Sequence, residues 1–291
     1  MRFTNSQVKF NPEIILEEIN KKKVELKTIS VQSSPPAGGA GGLTGLHAII
    51  FSAGLGTRFK PWTDAHPKAL ALVNGKSLLQ RNIEYLRQYG IKDVVVNIHH
   101  FPEQIIDSIK KNNGWGSNVF ISDESNEVLE TGGGLMKAKN LLDNGKPFFS
   151  LNVDILTNLD LNKLMAFHQQ HKSLITFGIT NRKSSRVLLF DTDNRLCGWK
   201  NLQTGEEKGP HLTIPKREGT KPELHEMAYS CVVIYEPKIF SLIKRKGKFS
   251  IMDSYLDLAA GHVISGYDHS GDNLVDVGKP ESVAVAEKLF F

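Results

Sequence analysis

The sequence predicts an α/β fold, a mostly parallel mixed sheet with helices on both faces. Short runs rich in β-branched and aromatic residues alternate with stretches of helical periodicity from residue 47 onward. Several of those runs are apolar without alternation, as strands covered on both sides require. The first run also opens into a glycine-rich turn, the place where open parallel sheets receive ligands.

The elements follow in order. His47-Ala48-Ile49-Ile50-Phe51-Ser52 reads as a buried strand. From Ser77 to Tyr89 the apolar positions Leu78, Leu79, Ile83, Leu86 and Tyr89 share one helical face, and Gly90 is a helix stop. Asp93 to Ile98 is a second strand, Pro102 to Lys111 a second helix and Asn118 to Ile121 a third strand. Gly133 to Leu142 is a third helix, and Pro147 to Leu151 a fourth strand that ends at Asp154. Ser173 to Ile179, Val187 to Phe190 and Met227 to Tyr235 continue as strands. Ile251 to Ala260 is a helix, His262 to Tyr267 and Asp272 to Val277 are strands, and a last helix starts at Pro280.

Residues 1–46 stand apart. Asn11-Pro12-Glu13 opens a short helical pattern, and Ser33 to Gly42 is a Pro/Gly-rich linker. The segment reads as an appendage, or as an arm that docks a partner or a second copy; the catalytic domain is expected over 47–291. The chain has 291 residues, 40% of them hydrophobic, and a formal net charge of +5. Its lysines and arginines are spread out, which argues against nucleic acid. No apolar run is long enough to span a membrane, and the N-terminus lacks a secretion signal. Cys197 and Cys231 are isolated, as in a reducing compartment, so a cytoplasmic protein is expected.

The chemistry concentrates in Ala53-Gly54-Leu55-Gly56-Thr57-Arg58, completed by Thr63 and Pro67-Lys68. Glycines let backbone N–H groups approach phosphate oxygens. Arg58 adds a forked donor set and Lys68 a mobile point charge. A dinucleotide fingerprint is excluded because Phe59 stands where its third glycine belongs, and a Walker loop because Gly56-Thr57-Arg58 lacks the closing Gly-Lys-Ser/Thr. Asp154 and Asp276, each at a strand end, are candidate Mg²⁺ ligands. Alternatively, Asp154 is a turn residue before an Asn-capped helix at Asn158, and Asp276 a polar residue before the Gly278 turn. Thr131-Gly132-Gly133-Gly134 admits a close approach to backbone, by a base or ribose or by plain helix entry. His99 and His100 point to opposite faces of a strand and cannot share an ion. No Gly-x-Ser-x-Gly supports a serine hydrolase.

These residues resemble the sugar-phosphate nucleotidyltransferase family, the NDP-sugar pyrophosphorylases. The resemblance rests on Phe51 to Arg58, Thr63, Pro67 to Leu70, Glu130 to Gly134, Asn152-Val153-Asp154 and Val275 to Gly278, and covers residues 47–291. It implies a Rossmann-like three-layer sandwich of the nucleotide-diphospho-sugar transferase type. It also implies transfer of a nucleotidyl group, with UTP favoured, from a nucleoside triphosphate to a sugar 1-phosphate, with Mg²⁺ as cofactor. Arg58 and Lys68 would be catalytic. Ala53, Gly54, Leu55, Gly56, Thr57, Thr131, Gly132 and Gly133 would line the nucleotide site, and Asp154 and Asp276 would hold the metal. Asn152, Lys200 and Ser230 are the candidates for the sugar phosphate, although Lys200 has no clean family counterpart. Cys231 stands where the family commonly has a glycine. Guanylyl transfer to mannose or heptose 1-phosphate, cytidylyl transfer to phosphocholine, and a silent nucleotide-sugar sensor are the alternatives.

Overall fold

The apolar run after residue 46 forms the central strand of a mixed sheet. The structure, a computed structural model, describes residues 42–212 and 223–291. The expected N-terminal helix at residues 12–19 and the linker up to residue 41 lie outside the described residues. In the first half the strands are β1 (His47–Phe51), β2 (Leu72–Val73), β3 (Lys76–Ser77), β4 (Asp93–Ile98), β5 (Asn118–Asp123), β6 (Phe148–Asn152) and β7 (Ile155–Thr157). The second half supplies β8 (Ile175–Thr180), β9 (Arg186–Phe190), β10 (Leu196–Asn201), β11 (Glu207–Lys208), β12 (His225–Tyr235), β13 (Ile264–Asp268) and β14 (Leu274–Asp276).

β1 pairs in parallel with β4 on one side and β6 on the other, and β5 extends the sheet beyond β4. β12 runs antiparallel between β6 and β8, and β13 closes that edge parallel to β8. The sheet is therefore mostly parallel, as expected. β12 is long enough to pair again, by its first residues, with β9, which starts an antiparallel ribbon β9–β10–β11. β10 and β11 have little apolar alternation, and the sequence did not reveal them. Beyond the carboxyl end of β1 the chain departs to opposite sides, towards β4 and β6, and a crevice opens there.

Two apolar layers cover the sheet, one on each face. Alternate residues of β1 divide between them, Ala48 and Ile50 on one side and Ile49 on the other; Val94 and Val96 of β4 oppose Val95 likewise. Helices Leu78–Gln88, Pro102–Lys111, Leu161–His171 and Glu281–Leu289 cover the first face. Glu130–Lys137, Lys139–Leu142, Ile239–Leu242 and Ile251–Ala259 cover the second. Among the described residues no helix is long and apolar enough to cross a membrane.

Local chemistry sets the helix boundaries. Ser77 caps the first helix, its hydroxyl accepting from the Gln80 amide at 3.1 Å, and Gly90 follows that helix at φ 85°. The helix expected from Asn158 instead starts after Asp160, whose carboxylate accepts from the amides of Asn162 and Lys163. The short strand β7, pairing with β14, takes up the residues after Asp154.

Two buried histidines make stability depend on pH. His168 bonds the Thr176 hydroxyl at 2.8 Å, and burial pulls its pKa down against the upward pull of Glu236. His269 bonds the Ser230 hydroxyl at 2.7 Å, and burial lowers its pKa against the upward pull of Asp272. The unfolded chain therefore takes up these protons first. The stabilisation is complete above the ordinary histidine pKa of 6.5 and is lost as pH falls below it. Each pH unit over which only the unfolded chain is protonated costs about 1.4 kcal/mol per site. The melting temperature is expected to fall between about pH 7 and pH 5, less steeply in His168→Gln; a flat profile would exclude this linkage.

Candidate active site

The glycine-rich loop is tied down at both ends. The Ser52 amide donates to Asn97 Oδ1 at 2.6 Å, and the Ser52 hydroxyl donates to the Asn97 carbonyl. Gly56 adopts φ 62°, and a Cβ there would lie 2.9 Å from Thr63 Cγ2 and 3.1 Å from Lys68 Cβ. Only glycine meets both demands without strain. The Thr63 hydroxyl then donates to the Gly56 carbonyl at 2.9 Å and brings the second half of the motif against the first. Lys68 is buried, and its Nζ lies 2.6 Å from Asp154 Oδ2.

Asp154 sits in the turn after β6, with its backbone held from three sides. The Val153 amide donates to the Phe51 carbonyl at 3.0 Å, and the buried Asn82 side chain donates to the Val153 carbonyl at 3.0 Å. The Val277 amide donates to the Asp154 carbonyl at 2.8 Å, so Asp276, at the end of β14, lies beside the same turn. A Cβ on Gly278 would come within 2.6 Å of Asp276 Oδ1 and 2.9 Å of an Arg58 guanidinium nitrogen. Arg58, Lys68, Asp154 and Asp276, which the sequence singled out from three distant segments, thus converge on one end of the sheet.

Among the described residues no group of three or more His, Cys, Asp and Glu is placed to hold a metal ion, so an ion at Asp154 and Asp276 would need other ligands to complete its shell. The nearby Cys231 thiol is held well above its usual pKa, chiefly by burial and then by Asp154, with Arg182 opposing and Asp276 adding. Two carboxylates fit a hard cation that completes its shell with water and phosphate. The histidine pair is structural: His99 Nδ1 bonds the Glu124 carbonyl at 2.7 Å and His100 Nε2 the Thr63 carbonyl at 3.0 Å.

A cavity of about 450 Å³ opens over this end. Ala53, Gly54, Gly56, Thr57, Arg58, Lys68, Thr131, Asn152 and Asp154 all line it. Leu55 lies outside the lining and half-exposed. Gly132 and Gly133 do not line it either. They lie inside a helix, where a Cβ would meet the Phe249 ring at 2.3 Å and the Gly247 carbonyl at 2.3 Å respectively. Their close approach is to neighbouring backbone, and helix packing explains these glycines.

A second cavity, of about 580 Å³, adjoins the first and shares Phe51, Thr131 and Asn152 as a common wall. Asp276 borders it, as do Arg182 and Cys231. The sequence missed Arg182. It donates to the Tyr229 carbonyl at 3.0 Å, while its buried Nε has no hydrogen-bond partner among the described residues. The one available signal was a cation two residues past a strand end.

The remaining two candidates sit elsewhere. Ser230 is fully buried and bonded to His269 rather than facing a cavity. Lys200 pairs with Glu207 and Glu226 at 3.1 Å each, on the opposite side of the ribbon from Trp199, which does line the cavity. Adjacent strand residues face opposite ways, so one position separates the two.

Cys231 has φ 59°, where β12 slips register against β8 between Tyr229 and Val233. An L-residue there costs about 1–2 kcal/mol. Cys231→Gly is therefore expected to be more stable than Cys231→Ala by about 1 kcal/mol, reversing the usual order in strands. Thermal melts of the two variants check this, and the ordinary ranking would show that no strain is stored.

Comparison with known proteins follows this geometry. A family model described as nucleotidyl transferase matches residues 47–187. The N-acetylmuramate alpha-1-phosphate uridylyltransferase of Neisseria meningitidis is 38% identical over 115 residues, 40% of this chain and 49% of that protein. Mannose-1-phosphate guanyltransferase 2 of Candida glabrata is 33% identical over 250 residues, 84% of this chain and 64% of that protein. The chain thus spans about half to two thirds of the length of these curated relatives. Among solved structures, HddC from Yersinia pseudotuberculosis superposes with a TM-score of 0.68 at 24% identity, covering 84% of this chain and all of that one. A UDP-glucose pyrophosphorylase complexed with UDP-glucose gives 0.65 at 16% identity, covering 84% of this chain and 97% of that one.

Proposed function

We propose, from the premise that this chain belongs to the sugar-phosphate nucleotidyltransferase family, that it joins a nucleoside triphosphate to a sugar 1-phosphate. UTP is the favoured donor, the products are an NDP-sugar and pyrophosphate, and the site of action is cytoplasmic. One observation carries this reading: Lys68 and Asp154 pair at 2.6 Å in the lining of the first cavity, and Asp154 lies two residues past Asn152, which belongs to the wall shared with the second. Two substrates lying on either side of that wall would bring their phosphates together beside the pair.

The first cavity takes the triphosphate and the second the acceptor. An oxygen of the 1-phosphate attacks the α-phosphorus, a new P–O bond forms, and the α–β bridging bond breaks with its electron pair leaving on pyrophosphate. The nucleophile is already anionic, so no general base is required. Catalysis rests on alignment and on neutralising charge. Lys68 and Arg58 bear the triphosphate charge, and Arg182 directs its guanidinium to the 1-phosphate. Asp154 and Asp276 would hold Mg²⁺, which would supply further neutralisation of phosphate charge.

The test is pyrophosphate release by the full chain with Mg²⁺, each of four nucleoside triphosphates and a panel of sugar 1-phosphates, with the product weighed by mass spectrometry. A relative that matches 84% of this chain carries a guanyltransferase name, so GTP is the second donor to try. No pyrophosphate from any pair would overturn the reading.

A further inference from the structure

We propose that Asn82 is a positioning residue for the transfer: its side-chain amide fixes the peptide group that presents Asp154 to Lys68. This rests on the nucleotidyltransferase reading above and adds to it a residue that lines neither of the two cavities.

Asn82 sits where an aliphatic residue is expected. It lies on the face of helix Leu78–Gln88 that also buries Leu78, Leu79, Ile83 and Leu86, and only 2% of it is exposed. A leucine would pack there and favour the helix more. A buried amide is costly unless its polar atoms find partners. Nδ2, with two hydrogens to give, donates to the Leu78 carbonyl of the same helix at 3.0 Å and to the Val153 carbonyl at 3.0 Å. The first bond is local to the helix. The second exists only where the helix meets the turn after β6.

The Val153 carbonyl and the Asp154 amide belong to one planar peptide group, so holding the carbonyl sets the plane from which Asp154 departs. Among the described residues that carbonyl accepts no other hydrogen bond. On either side of the group, the Phe51 carbonyl holds the Val153 amide and the Val277 amide holds the Asp154 carbonyl. Without Asn82 the peptide between those two ties is free to rotate. The Asp154 carboxylate then shifts against Lys68 Nζ, now 2.6 Å from it. The same helix has another tie to the segment that follows Asp154, since the Tyr85 hydroxyl donates to the Leu159 carbonyl. That bond braces the segment without touching the peptide at Asp154, and so separates bracing from positioning.

The experiment compares Asn82→Leu and Asn82→Ala with Tyr85→Phe in the full chain. Thermal melts report the loss of bracing, which both sites share. Rates are measured with Mg²⁺ and the triphosphate and sugar 1-phosphate that the wild-type chain turns over. Calorimetry of the same triphosphate with Mn²⁺ and no acceptor reports binding apart from turnover. Each Asn82 variant is expected to lose about 10- to 100-fold in kcat/KM and about tenfold in affinity for the Mn²⁺–triphosphate complex, as when a group that orients a metal ligand is removed. Tyr85→Phe is expected to keep both near wild-type values, whatever it loses in melting temperature. Wild-type values of either quantity in the Asn82 variants overturn the inference and leave the nucleotidyltransferase reading standing. Equal losses in Tyr85→Phe, or a failure of both Asn82 variants to fold, do the same. No turnover by the wild-type chain with any substrate pair overturns both.

Discussion

Lys68→Ala is expected to lower kcat/KM by about 10²–10³ while leaving a folded protein. The magnitude follows from removing one preorganised charged donor from the proposed phosphoryl-transfer site, on the order of 3–4 kcal/mol. The ammonium is buried and rigidly placed, 2.6 Å from Asp154, so neither water nor a neighbouring side chain reproduces its charge at that point. The variant also strands the Asp154 carboxylate. Breaking a fully buried pair from one side costs about 3–5 kcal/mol, and this is an upper bound here because the Asp154 side chain keeps 22% of its exposure. Lys68→Ala/Asp154→Asn should therefore recover part of the lost stability without recovering activity. Steady-state rates with thermal melts separate the two effects. A wild-type rate in Lys68→Ala would remove the lysine from the mechanism.

Gly278→Ala is expected to cost one to two orders of magnitude in kcat/KM with little change in melting temperature. The added methyl would lie 2.6 Å from Asp276 Oδ1 and 2.9 Å from the Arg58 guanidinium, both far ends of flexible side chains. They swing aside cheaply, so the fold survives. The same movement displaces a candidate metal ligand and a candidate phosphate clamp together. A misplacement of about 1 Å at a reacting centre costs up to roughly 10²-fold. Measuring kcat/KM against Mg²⁺ concentration tests the cause: lost activity that high Mg²⁺ partly restores assigns the effect to Asp276. Unchanged kcat/KM would show that neither group acts at that point.

The parallel half of the sheet was legible because its strands are buried on both faces and need no partner to be recognised. Val94-Val95-Val96 reads as a strand whatever lies beside it. The ribbon was not legible. Trp199 of β10 faces a cavity, and β11 is Glu207-Lys208, with both residues exposed. The charged residues of the site were legible where unusual backbone accompanied them, as with Gly56 beside Thr63 and Lys68. Arg182 carried no such mark, since its role depends on a carbonyl of β12 that only the folded chain brings near. Lys200 was misplaced by a single strand position. The glycines at 132 and 133 misled for a related reason, because a close approach of backbone to backbone leaves the same mark in a sequence as room for a ligand.

β12 belongs to two assemblies at once, hydrogen-bonded to β6 along its second half and to β9 along its first. One continuous segment thus splices the ribbon to the strand that leads into Asp154. Residues of the ribbon can be exchanged through evolution without disturbing the register that fixes Asp154.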